Sequence, residues 1–90
     1  MNYTLSQLNV FVKVVENQSV TKAAEHLHMT QPAVSIQLKN FQDQFEIPLF
    51  EVISRRMHIT SFGQEVAASA KEILFQADLL RHKALKFKGS

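Results

Sequence analysis

The sequence predicts a mostly helical fold that contains one small β-hairpin and ends in a long helix. Glycine and proline occupy only four of the 90 positions, so few residues interrupt helices. Serine or threonine repeatedly precedes apolar residues at helical spacing, which is the pattern of helix N-termini. No proline follows Pro48, and no glycine lies between Gly63 and Gly89, which leaves room for one long helix.

Size and composition narrow the class of protein before any motif is considered. The chain is long enough for one small domain and has no cysteine, which excludes a disulfide framework and the thiolate ligands of a structural zinc site. Its first residues lack a signal-peptide pattern, and no apolar run approaches the roughly 20 residues of a membrane span. We therefore expect a cytoplasmic protein with no metal or cofactor bound to this chain.

The first helix is predicted over residues 5–16, and a short second helix is predicted after Ser19. Thr4-Leu5-Ser6-Gln7 fits a capping box, in which the Thr4 side chain caps the helix and the Gln7 side chain reaches back. The residues expected to face inward are Leu5, Leu8, Phe11, Val12 and Val15 in the first helix, and Ala23, Ala24 and Leu27 in the second.

A third helix is predicted to begin at Thr30, with Pro32 in its first turn, where a missing N–H costs little. Only His28 and Met29 are expected between the second and third helices. A short helix, a tight turn and a longer helix with a polar outer face form a helix-turn-helix. The residues expected to face the core are Val34, Leu38, Phe41 and Phe45, and those expected to face outward are Gln31, Ser35, Lys39 and Gln42.

Two short extended segments are predicted after Pro48, which blocks continuation of the third helix. Residues 49–52 and 57–60 are expected to be strands, and residues 53–56 are expected to form the turn. The turn contains neither Asn-Gly nor Gly-Gly, which leaves its type open. The hairpin is predicted to be a wing whose tip presents Arg55 and Arg56 to phosphates or to a minor groove.

The chain from Ser61 onward is predicted to be one helix of about 25 residues, roughly 37 Å long. Its apolar residues recur alternately every four and three positions, which is typical of a helix that packs on another helix. The pattern is longer than the preceding 60 residues can cover, so part of it is expected to contact a second chain. We therefore predict a homodimer through this seam, formed by Val66, Ala70, Ile73, Ala77, Leu80, Ala84 and Phe87.

Charge favours a nucleic-acid partner only locally. Residues 1–60 carry five basic and five acidic side chains, so their formal net charge is zero, and the excess behind the net charge of +2 lies between Arg81 and Lys88. Bulk charge is therefore no argument for nucleic acid. However, residues 26–42 contain no acidic side chain, so the outer face of the third helix can approach phosphates without repulsion.

Several segments resemble the LysR-type family of bacterial transcriptional regulators. Residues 23–35 read Ala-Ala-Glu-His-Leu-His-Met-Thr-Gln-Pro-Ala-Val-Ser, which is similar to the family's helix-turn-helix core. Residues 48–51 and 55–56 resemble the family's wing, and residues 60–63 resemble the start of its linker helix. The matching segments occur in the family's order and cover almost the entire chain.

The resemblance implies a winged helix-turn-helix DNA-binding domain over residues 1–60 and a linker or dimerisation helix over residues 61–88. It also implies a dimer or tetramer that binds an interrupted palindrome in promoter DNA. A small-molecule coinducer would bind a C-terminal effector-sensing domain, which is expected outside these 90 residues.

Individual DNA contacts also follow from the resemblance. Thr30 is expected to contact phosphate, Gln31 and Pro32 to approach base edges or a thymine methyl group, and Ser35 to reach the backbone. Ile36 stands where many members have arginine, which removes a bidentate donor, and Val52 departs from the family's arginine in the wing. The complete predicted DNA-binding set is Ser19, Thr21, Lys22, Thr30, Gln31, Pro32, Ala33, Ser35, Ile36, Lys39, Arg55 and Arg56.

Two other functions compete with DNA binding as interpretations of the sequence. An enzyme is not indicated, because the sequence has no phosphate-binding loop, no cysteine and no nucleophile motif. A helical protein-interaction module is the stronger alternative, in which the seam carries the function and the helix-turn-helix is a scaffold. The two hypotheses differ at Gln31, Pro32 and Ser35, which only DNA binding requires.

Overall fold

The computed structural model describes residues 1–89 and contains four helices and one hairpin. The fold class predicted from the sequence is confirmed. In chain order the elements are α1 (Leu5–Asn17), α2 (Val20–Leu27), α3 (Gln31–Gln42), β1 (Phe50–Ile53), β2 (Arg56–Ile59) and α4 (Ser61–Lys88).

Each helix begins at a hydroxyl side chain that accepts a hydrogen bond from a backbone N–H in the first turn. The acceptors are Thr4, Ser19, Thr30 and Thr60, at 2.9–3.2 Å from the donor nitrogen. At Thr4 the predicted capping box is complete, since the Gln7 side chain also accepts from the Thr4 N–H. Such a cap contributes about 1 kcal/mol to helix stability, so these signals fix where the helices start.

Residues 1–60 are called the body of the domain below. Helix α1 is its central helix, because it contacts α2, α3 and also α4. Its buried residues are therefore not confined to one stripe. The predicted stripe is partly wrong: Leu5 is 51% exposed, whereas Val10 and Val14, which the stripe leaves out, are buried. A helix with neighbours on three sides buries side chains on most of its circumference.

Five phenylalanine rings connect the elements of the body. Phe11 of α1 lies 5.1 Å from Phe41 and 5.6 Å from Phe50, measured between ring centroids, and Phe45 lies 5.1 Å from Phe41 and 5.6 Å from Phe62 of α4. All four contacts are edge-on or tilted, which is the favourable arrangement for aromatic pairs. Phe45 was predicted within the third helix, but it lies beyond the end of α3 and still packs on the core.

The segment between α3 and β1 is held by the side chain of Gln42. Its amide oxygen accepts from the Leu49 N–H at 2.7 Å, and its amide nitrogen donates to the Ile47 carbonyl at 3.2 Å. The predicted outward orientation of Gln42 is therefore wrong. Its amide forms hydrogen bonds with backbone groups of the segment that follows α3, which have no partner within a helix. The same segment anchors α4, since the Thr60 hydroxyl donates to the Pro48 carbonyl at 2.8 Å.

The wing is an antiparallel pair in which Phe50 faces Ile59 and Ile53 faces Arg56. The predicted four-residue turn is wrong, because only Ser54 and Arg55 lie between the strands. Both have positive φ values, 52° and 65°, which a type I′ turn requires and which match the twist of paired strands. Each strand consequently extends one residue further towards the turn than predicted and ends one residue earlier at its other end.

Helix α4 runs over 28 residues and differs between its two halves. Ala67 and Ala70 are buried against the body, with Val66, Ile73 and Leu74 partly buried beside them. Every residue from Asp78 to Gly89 is exposed. The helix gives the described chain a longest dimension of 55 Å. No helix within residues 1–89 is both long enough and apolar enough to span a membrane.

Candidate nucleic-acid interface

Helices α2 and α3 form the predicted helix-turn-helix. The backbone N–H of His28, whose φ is 54°, donates to carbonyls of the last turn of α2 and ends that helix. Thr30 then caps α3 two residues later. Ala23 and Ala24 are buried, and their small side chains let α2 lie close to its neighbours. The turn thereby holds α3 in a fixed orientation.

One face of α3 is buried and the opposite face meets solvent. Val34, Leu38 and Phe41 anchor the helix in the core, as predicted. Gln37 is half-buried and accepts from the Ser6 hydroxyl at 3.3 Å, so it belongs to the side that faces α1. The exposed residues of α3 are Gln31, Pro32, Ser35, Ile36, Lys39 and Asn40, and the first five are called the reading face below. Ala33 of the predicted DNA-binding set is half-buried at the edge of this face.

The N-termini of α2 and α3 both suit an anion. Neither helix has an acidic residue in its first turn, and the N-terminus of a helix carries partial positive charge. Ser19 and Thr30 accept from the backbone through their hydroxyl oxygens, which leaves each hydroxyl hydrogen available to a phosphate oxygen. Thr21 and Lys22, which follow the Ser19 cap, are exposed.

Lys39 is the one cationic residue of α3, and its ammonium lies 2.9 Å from the carboxylate of Asp43. The pair is exposed, with 75% of the Lys39 side chain and 58% of the Asp43 side chain accessible. Exposed ion pairs of this kind contribute little to stability. Lys39 can therefore exchange Asp43 for a phosphate at small cost.

The wing, the end of α1, the α2 cap Ser19 and the start of α4 surround a cleft of about 610 Å³, called the wing cleft below. Arg55 and Arg56 line it from the wing, and Ser19 lines it from the cap of α2. The fold thus brings together two parts of the predicted DNA-binding set that lie 36 residues apart. Sequence reasoning missed Gln18, His58 and Gln64, which line the same cleft and carry no motif.

A second concave surface lies beside the first half of α4 and is called the α4 groove. It has a volume of about 300 Å³ and a mostly apolar lining. Val66, Ala70 and Ile73 of the predicted seam line it, and Ala70 lies at its floor with 1% exposure. Beyond the groove the seam continues along exposed helix, where Leu80 is 70% exposed and Phe87 is 77% exposed.

Comparison with known proteins identifies the family. Residues 5–64 match the family model described as the bacterial regulatory helix-turn-helix protein, lysR family. The chain belongs to the LysR family. It is 39% identical over 88 residues to the HTH-type transcriptional activator CmpR of Synechocystis, covering 98% of this chain and 29% of that regulator. The chain thus spans about three-tenths of the length of this relative, and it is similar to transcription regulators rather than to enzymes.

Solved structures of LysR-family DNA-binding domains have the same fold. The BenM DNA-binding domain in complex with catB site 1 DNA has a TM-score of 0.90 and 33% identity, with 97% of this chain and 98% of that chain covered. The DNA complex of the CbnR DNA-binding domain has a TM-score of 0.85 and 25% identity, with 94% and 98% covered. Both structures contain DNA, so this LysR-family domain is of the DNA-binding type.

Proposed function

We propose that this chain binds specific sequences in double-stranded promoter DNA, with α3 in the major groove and the wing on the backbone or in the minor groove. The observation that carries the proposal is the reading face. It is exposed, contains no acidic residue and begins at the N-terminus of α3. A helix of this width fits the major groove, where base edges are distinguishable. The same docking brings the helix N-termini towards phosphates.

The exposed residues receive roles according to their chemistry. Gln31 can form two hydrogen bonds to the major-groove edge of adenine, and Pro32 offers an apolar contact. Ser19 and Thr30 suit phosphates through their hydroxyl groups, as does Ser35. Thr21, Lys22 and Lys39 add further polar or cationic contacts to the backbone, and Ala33 allows close approach at the edge of the reading face. In the wing, Arg55 and Arg56 are assigned to phosphates or to the minor groove.

The dimer is proposed to form through α4. Large apolar side chains that project from a body into solvent mark an interaction surface, and Leu80 and Phe87 continue the line of residues that borders the α4 groove. A second copy of this chain has both the exposed apolar residues and the α4 groove. Its exposed distal half of α4 can cover the groove of the first copy, and the first copy can cover the groove of the second, as a two-fold symmetric interface requires.

This exchange requires the two α4 helices to run antiparallel. The groove lies beside the first half of α4, whereas the exposed apolar residues lie in the second half. The seam is nearly symmetric in sequence about Ala77, so antiparallel pairing brings large residues opposite large ones and alanine opposite alanine. The pairs are Val66 with Phe87, Ile73 with Leu80 and Ala77 with its own copy. Ala84 lies at the level of Ala70, which its own chain already covers.

Two-fold symmetry of the protein favours a two-fold symmetric operator, which is an interrupted palindrome with one half-site for each reading face. In the longer relatives this domain is less than a third of the chain. We therefore propose that coinducer recognition and any assembly of dimers into tetramers belong to a further domain, and that this chain needs no cofactor to bind DNA. Transcriptional regulation in the cytoplasm of a bacterium is the setting proposed for the whole protein.

The proposal is tested by selecting binding sites from a pool of duplexes with a randomised core. We expect an inverted repeat to be enriched. The affinity of the chain for this repeat should fall as salt rises, and the logarithm of the binding constant should decrease by about 0.9 per phosphate contact for each tenfold rise in salt concentration. Gln31→Ala should reduce the preference for the enriched site over scrambled DNA by about tenfold or more, because one bidentate base contact is lost.

Gln37→Ala provides the matched control, since it changes the same residue type on the side of α3 that faces α1. It should leave the preference unchanged. If no sequence is enriched, or if binding does not depend on salt, the DNA-binding proposal fails and a helical interaction module is favoured.

A further inference from the structure

We propose that Ile36 contacts the 5-methyl group of a thymine in the major groove and thereby sets the base preference of this protein at one position of each half-site. This inference rests on the proposed function, because it requires α3 to lie in the major groove. It goes further by assigning a base and a chemical group to a single side chain.

Ile36 is an aliphatic side chain in the middle of a polar surface. Its exposed fraction is 61%, and within the described chain it is the only large hydrophobic residue between Leu5 and Ile47 that is exposed. It lies one turn after Pro32 and next to Ser35 on the reading face, so Pro32 and Ile36 are neighbours on the helix surface. Together they form an apolar strip, and covering this strip with another apolar group is favourable because it removes apolar surface from water.

The chemistry of the four bases decides which group that is. Guanine presents acceptors in the major groove, which are read most often by arginine or lysine. Helix α3 has no arginine, and Lys39, its one cationic residue, is assigned to the DNA backbone. Cytosine and adenine present amino groups, which isoleucine would desolvate without a hydrogen bond. Thymine alone presents a methyl group there, so it is the base that fits Ile36.

The inference is tested on the duplex selected by the wild-type chain, in which each thymine of a half-site is replaced in turn by deoxyuridine. This exchange removes the methyl group and leaves all hydrogen-bonding groups in place. At one position per half-site we expect the wild-type chain to lose about fourfold in affinity, the value of burying one methyl-sized group. Ile36→Ala should bind the thymine and uracil duplexes equally at that position.

Two further variants make the result specific. Ile47→Ala is the matched control, since Ile47 is 56% exposed, like Ile36, but lies outside α3. It should retain the wild-type loss on uracil. Ile36→Arg should select guanine in place of thymine at the same position, because arginine restores a bidentate donor.

The outcomes separate this inference from the proposed function. If the wild-type chain selects a site but every uracil exchange affects wild type and Ile36→Ala equally, Ile36 does not read a methyl group, although the domain still binds DNA specifically. An unchanged base preference of Ile36→Arg also contradicts the inference. If no site is selected at all, the proposed function itself is wrong.

Discussion

The two halves of α4 have the same apolar repeat but different surroundings. In the first half, Ala70 of the seam is buried, and Val66 and Ile73 are partly buried, by the body of their own chain. In the second half, Leu80 and Phe87 of the seam are each more than half exposed. An apolar repeat therefore indicates that one face of a helix packs against another surface. The length of the helix decides whether that surface belongs to the same chain or to another one.

Replacing Leu80 by aspartate should have the largest effect and acts on the distal half alone. In the proposed dimer each copy of Leu80 faces Ile73 of the other copy, so the change buries two carboxylates at one interface. We expect the dimer dissociation constant to rise by about three orders of magnitude, which corresponds to about 4 kcal/mol, while the helical content of the monomer is retained. Sedimentation at several protein concentrations measures the change.

Leu85→Asp is the matched control for Leu80→Asp. Leu85 has a similar exposure, 57%, but lies outside the seam. The dimer should survive this change. An unaltered dimer in Leu80→Asp, or equal dissociation in both variants, would show that the distal seam is not the interface.

Gly63→Ala should have the next largest effect and acts on the proximal half. A Cβ atom at Gly63 would lie 2.2 Å from the Leu49 carbonyl oxygen and 2.8 Å from a side-chain carbon of Ile59. The backbone carbonyl cannot move aside easily, because it accepts from the Thr60 N–H. We expect the free energy of unfolding to fall by about 2–3 kcal/mol, as for overpacked cores, and urea denaturation measures it.

Gly89→Ala serves as the control for Gly63→Ala, since the nearest atom to its added Cβ would be 3.5 Å away, an ordinary contact. Its stability should match that of the wild type. If both glycine variants unfold at the same urea concentration as the wild type, α4 does not pack on the Leu49 carbonyl as described.

Thr60→Ala should have the smallest effect of the three. The Thr60 hydroxyl caps α4 by accepting from the Gly63 N–H and donates to the Pro48 carbonyl. Its loss should lower the free energy of unfolding by about 1–2 kcal/mol, and Thr60→Ser should restore most of it, since serine keeps the hydroxyl. Equal stability of the alanine and serine variants would argue against the cap.

Much of the fold could be predicted because its signals are local. The hydroxyl caps and the Pro32 position mark helix starts by hydrogen bonding within one turn. The errors concern contacts between distant residues. Val10 and Val14 are buried because three helices surround α1, and Gln42 turns inward because it bonds to Leu49, seven residues later. The hairpin turn is shorter than predicted because Ser54 and Arg55 adopt positive φ without glycine or asparagine.

The candidate site was predictable to a smaller extent. The outer face of α3 could be derived from helical spacing, and the fold bears out its exposure at Gln31, Ser35 and Lys39. The wing cleft could not be derived, because it depends on how the hairpin lies relative to the end of α1 and the start of α4. Gln18, His58 and Gln64 meet there through tertiary packing alone.

In the proposed dimer, the 28 residues of α4 also set a distance. In an antiparallel pair, the two bodies sit at opposite ends of the paired helices, so the length of the seam sets the distance between the two reading faces. Removing one heptad would preserve the alternation of large and small residues and shorten the helix by about 10 Å. Because one base pair rises about 3.4 Å, the spacing between half-sites that suits such a dimer is counted in units of about three base pairs per heptad.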